Sequence, residues 1–184
     1  MNQFKLKLDE IIDFDMKDSK KTWENEKIIE LEKKYNLYLN DDYFFYLKEY
    51  GNDYIDPKYK CIPQEAIPGC EEVKFEIDSI YGLDIDENNI FEKIDSYKDI
   101  LPENLVPIAD LPGGDLICME KEKGWIYFWF HDWEDENLFK VFNTFKEFIL
   151  SFTVVKDVTI TPGEVKMDLG SQLDAFLKNA SKKQ

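Results

Sequence analysis

His131 is the only histidine in the 184-residue chain, so any serine- or cysteine-based nucleophilic mechanism would have to pass through it. Cys118 and Asp132 are its candidate partners, and no spacing aligns them. If the strand before His131 continues through it, the adjacent Asp132 points to the opposite face. His131, Asp132, Glu134 and Asp135 offer a hard cation four ligands in one loop, but the loop lacks the Asp-x-Asp-x-Asp-Gly pattern of an EF-hand. Thirty-nine acids always allow a carboxylate pair for glycoside hydrolysis, and no spacing here favours one. The Gly113-Gly114 pair is too short to cradle a phosphate and is followed by Asp115, which would repel one. These residues call for no catalytic site, metal or cofactor; the expectation is a protein that is not an enzyme.

Charge says more. The chain carries 39 acids against 23 bases, for a net charge of −16, and every base is lysine. Arginine's planar fork is the usual reader of phosphates and guanine edges, and a phosphate backbone would be repelled by this surface. Nucleic acid is therefore excluded as a partner, whereas a basic protein would be drawn in. Plain solubility is the alternative use of the same charge. No segment is apolar enough to span a bilayer, and the first ten residues do not look like a signal peptide. Cys61, Cys70 and Cys118 are odd in number and lack paired CxxC spacing, so reduced thiols and a cytoplasmic location are expected.

The elements that must position these groups read as follows. Residues 105 to 130 give three short strands, Leu105 to Ala109, Leu116 to Met119 and Trp125 to Phe130, joined by the Pro112-Gly113-Gly114-Asp115 turn and a turn ending in Gly124. The last is apolar on both faces and reads as central and doubly covered. Upstream, the alternation of Phe4, Leu6 and Leu8 predicts an edge strand. Thr22 caps a helix to about Tyr35; Asn40 caps a second, Asp41 to Tyr50, closed by Gly51. Val73, Phe75 and Ile77 alternate with polar residues as a strand with one wet face, and a helix runs from Asn89 to Leu101. Leu138 to Phe142 is a further strand, and Thr144 with Glu147 makes a capping box before a helix bearing Phe145, Phe148, Ile149 and Phe152. Val154 to Ile160 reads as a strand, and Ser171 with Asp174 caps a last helix whose Leu173, Phe176 and Leu177 form an apolar face. That face either packs on the domain or makes a homodimer.

Four stretches, in this order, resemble the SUKH superfamily: Ile28 to Tyr35; Leu39 to Leu47; Leu105 to Ala109 with Gly113-Gly114-Asp115 and the aromatic strand ending at Trp129; and Phe142 to Ile149. Asn40 stands where proline is usual in that family, and Thr144 replaces a serine. The likeness spans roughly residues 22 to 152, leaving residues 1–21 as an N-terminal extension and 153–184 as a C-terminal one. It implies an α+β fold, a mostly antiparallel sheet with helices packed against it. It also implies a binding module without catalysis, either a bacterial immunity protein that neutralises a toxin, often a nuclease, or a cytoplasmic regulatory module like the family's fungal regulator of cell-wall synthesis.

The family offers no universal binding residue, so the partner-binding residues follow from charge. Residues 71 to 99 hold ten acids and three lysines, and 131 to 136 hold four acids in six residues. The expected contacts with a basic nuclease toxin are Asp84, Asp86 and Glu87 in one turn and Asp132, Glu134, Asp135 and Glu136 in the other. Trp133 is the apolar anchor that such interfaces favour.

Overall fold

The computed structural model describes residues 3–13, 23–51, 53–70, 73–84, 87–134 and 136–155. In chain order these form α1 (Gln3–Ile11), α2 (Asn25–Tyr35), α3 (Asp41–Glu49), β1 (Asp53–Tyr54), β2 (Tyr59–Cys61), β3 (Ser79–Ile80), α4 (Ile90–Tyr97), β4 (Leu105–Asp110), β5 (Leu116–Glu120), β6 (Ile126–Trp129), β7 (Leu138–Phe142), α5 (Phe145–Leu150) and β8 (Phe152–Val154). Six strands make one antiparallel sheet in the order β1-β3-β4-β5-β6-β7, and β2 pairs with β8 in a second, two-stranded sheet. The fold is α+β, as the sequence implies.

Local chemistry accounts for most of these elements. Asn40 accepts the Tyr43 N–H at 2.9 Å and starts α3; Asn89 accepts from Phe91 and Glu92 and starts α4. Thr144 accepts the Glu147 N–H at 3.1 Å, and the Glu147 carboxylate takes the N–H of Asn143, one residue before the cap. Gly51 closes α3 at φ +77°, an angle that a side chain would strain.

The helices α1, α3 and α5 meet on aromatic rings. Phe145 lies 4.6 Å from Tyr43, 5.5 Å from Tyr46, 6.1 Å from Phe4 and 5.9 Å from Phe148, ring centre to ring centre. α4 packs separately over β4. Cys61 and Cys118 are buried, Cys70 is partly exposed, and all three thiols are free.

Several expectations need correction. Phe4, Leu6 and Leu8 are not an edge strand but part of α1: Phe4, Leu8 and Ile11 recur at helical spacing and are buried, and Leu6 faces solvent. α2 begins at Asn25 with Glu24 as a cap residue that makes no side-chain cap bond; Thr22 lies outside the described residues. Residues 73 to 78 form no regular strand. Phe75 makes a single bridge to Cys61, which also pairs with Phe152 of β8, so Phe75 meets the other edge of β2 at one residue alone. β6 is an interior strand next to the edge strand β7, and its Tyr127 is only half-buried; β5, like the two-residue β3, is buried at every residue. The helix expected to carry Phe152 ends at Leu150, and Phe152 instead opens β8, which shares only Val154 with the strand expected from Val154 to Ile160; residues 156–184, with Leu173, Phe176 and Leu177, lie outside the described residues.

Because Phe4 sits in the aromatic cluster at 1% exposure, Phe4→Ala should cost about 3–5 kcal/mol in urea unfolding. A loss under about 1 kcal/mol would mean that α1 is not docked in solution.

Candidate functional site

The loop between β6 and β7 is where the chain presents an aromatic ring among acids. Phe130 follows β6 and is buried, and Trp133 stacks on it with ring centres 4.6 Å apart and planes 18° apart. Phe139 of β7 meets the same indole edge-on at 5.4 Å. The indole is thus fixed on two faces while 36% of the residue remains open to solvent. Asp132, Glu134 and Glu136 around it are exposed; Asp135 lies outside the described residues.

What holds this loop is a residue read from sequence only as turn chemistry. Gly113 and Gly114 turn the chain at φ +90° and +94°, and the next residue, Asp115, reaches across to the loop. Its Oδ1 accepts the His131 N–H at 3.0 Å and lies 2.9 Å from the ring Nδ1. The ring's Nε2 lies 3.0 Å from Asp132 Oδ1. His131 and Asp132 are therefore not on opposite faces: the strand ends at Trp129, the backbone turns, and the imidazole is clasped between two carboxylates. The hydrogen bond to Asp115, then the charges of Asp132 and Asp115, raise the His131 pKa above its ordinary value. Cys118, the candidate nucleophile, does not join this pair: its thiol is buried in the sheet, and burial raises its pKa. Among the described residues no group of three or more His, Cys, Asp or Glu side chains could hold a metal.

The second predicted patch lies elsewhere. The turn after β3 is separated from the β6–β7 loop by β4 and β5, so the two acidic segments belong to different parts of the sheet. Asp84 is half-buried: its backbone carbonyl accepts from Asn89 Nδ2 at 2.8 Å, and its carboxylate lies against Gly51. Asp86 lies outside the described residues. Glu87 is exposed, accepts the Tyr54 hydroxyl at 3.1 Å, and borders a cleft of about 590 Å³ beside β1 and β3. Asp78 and Asp110 reach the same cleft from segments that sequence spacing does not connect; only the pairing of Ser79 with Asp110 brings them together.

The sequence matches the model of the SMI1 / KNR4 family (SUKH-1) over residues 24–151. The chain belongs to that family. The chain is similar to the SPbeta prophage-derived uncharacterized protein YokK of Bacillus subtilis (strain 168), 34% identical over 140 residues, which cover 69% of this chain and 73% of that protein. No solved structure matches the chain. Among the described residues of this SUKH-1 domain, no helix is long and apolar enough to cross a membrane.

His131 gives one histidine signal, so its titration is directly readable. The folded-state pKa should lie above 6.5, and Asp115→Asn should move it back toward that value, followed by imidazole proton NMR. A raised folded pKa means that the stability this contact contributes is fully present below the unfolded pKa and is lost as pH rises through the folded one. An unshifted pKa in the wild type would show that the clasp is absent in solution.

Proposed function

We propose that this SUKH-1 protein is an immunity-type binding module, which neutralises a basic protein toxin, a nuclease by class, by covering it with an acidic surface, without catalysis of its own. The reading rests first on the family, which includes immunity proteins. A net charge of −16 without a single arginine suits a basic partner and repels the nucleic acid that a nuclease binds. The prophage-derived relative fits a gene carried on mobile DNA. The observation that carries the placement is the β6–β7 loop. Trp133 is held rigid by Phe130 and Phe139 and ringed by exposed Asp132, Glu134 and Glu136, an aromatic anchor inside a charged rim. Holding the indole in place before contact lowers the ordering cost of binding.

The test is rescue of cells from the toxin encoded beside this gene, with affinity of the pair measured at low and high salt. Trp133→Ala should weaken binding about 30-fold or more, as loss of an anchor worth at least ~2 kcal/mol does. Reversing Asp132 and Glu134 to lysine should slow association about tenfold at low salt, with a smaller effect at high salt. Rescue that survives all three changes would move the interface away from this loop. No rescue and no complex would leave a regulatory protein-interaction module as the better reading.

A further inference from the structure

We propose that the cleft beside β1 and β3 is a second contact point, one that seats a basic side chain of the protein partner; this rests on the reading that the partner is a basic protein. The cleft encloses about 590 Å³ and combines two surfaces. Buried Ile55 and Ile77, with Tyr54 and Pro57, give an apolar wall. Asp13, Glu76, Asp78, Glu87 and Asp110 bring five carboxylates to the same space, against Lys93 as the one cation lining it among the described residues. An arginine or lysine has this shape of need: an aliphatic stem that prefers apolar surface and a charged head that seeks carboxylates.

Some of the acids are already occupied, which narrows the seat. Asp110 is held by the hydroxyls of Tyr81 and Ser79, which donate to it, and by Lys93 Nζ at 3.4 Å. Glu76 is paired with Lys60. Asp78 and Glu87 are different. Neither has a cation within ion-pair distance among the described residues, and Glu87 is oriented by the Tyr54 hydroxyl that it accepts. Desolvation, then the neighbouring charges of Glu76 and Asp110, outweigh the opposing charge of Lys60 and hold the Asp78 carboxyl above its ordinary value. The cleft is therefore lined by two acids, Asp78 and Glu87, that no lysine of the described residues pairs, and a guanidinium seated in it meets carboxylates still open to a cation. The backbone around it is fixed: Ile55 N–H bonds to Asp78 O at 3.1 Å, and Asp78 N–H to Asp110 O at 3.1 Å. Since β4 and β5 separate the turn after β3 from the Trp133 loop, a partner touching both must span this part of the sheet.

The probe is an acetylated, amidated triarginine peptide, titrated into the full chain with backbone amide NMR as the readout. Saturable shifts should centre on Tyr54, Ser79 and Asn88. The double variant Asp78→Asn, Glu87→Gln should bind about tenfold more weakly with an unchanged fold, because both changes remove charge from exposed positions and leave oxygen acceptors in place. Shifts centred on residues 131–136, with equal affinity in the double variant, would overturn the cleft and leave the acidic-loop reading standing. Absence of any saturable shift would overturn it too, while the toxin reading is decided separately by rescue and the Trp133→Ala variant.

Discussion

One ring, Phe145, sets the geometry of the helical layer. It touches α1 through Phe4, α3 through Tyr43 and Tyr46, and its own helix through Phe148, and it is fully buried. Its position is set by the turn before it: Thr144 and Glu147 fix the first turn of α5, and the chain arrives directly from β7. A short capped helix thus transmits the direction of an edge strand to two other helices, α1 and α3. Edge-to-face and tilted ring contacts have preferred angles, so this packing specifies orientation as well as burial.

The distribution of lysine explains why two acidic places stay open. The cations are used close to where they stand. Lys27 lies 4.2 Å from the centre of the Trp23 ring, Lys93 4.6 Å from Tyr81, and Lys123 and Lys140 4.1 and 4.3 Å from Trp125. Others bridge acids on or between helices, as Lys5 does with Asp9 and Lys34 with Asp95. These contacts spread lysine stems over aromatic faces and stitch the surface locally. The exposed β6–β7 loop and the Asp78–Glu87 side of the cleft draw on none of the ion pairs to lysine among the described residues. A protein with a net charge of −16 must leave negative charge somewhere, and here it is left where the surface is also shaped.

Much of this was legible in the chain. Asn40, Asn89 and Thr144 announce α3, α4 and α5 because a cap residue followed by helical periodicity is a local signal. The strands from Leu105 to Phe142 follow from apolar runs between turns. Phe4, Leu6 and Leu8 mislead because three residues satisfy a strand period, and only Ile11, one turn further, tips the pattern to a helix. Val73, Phe75 and Ile77 alternate correctly, yet of the three only Phe75 forms a bridge, to Cys61 of β2, which is a tertiary fact. The exposed Trp133 was readable; its support by Phe139 depends on the register of β6 on β7, and the clasp of His131 by Asp115 on that of β5 on β6. The cleft was not legible, because its walls come from five separate segments.

The three free thiols have a practical consequence. Burial pushes the Cys61 thiol up to about 12 and raises Cys118 as well, so neither offers a thiolate to an electrophile at neutral pH. Cys70, partly exposed, is left as the natural handle for a maleimide dye. The wild-type chain can thus carry a single fluorophore without any substitution, and encounter with a partner can be followed by energy transfer or anisotropy on an otherwise unaltered surface.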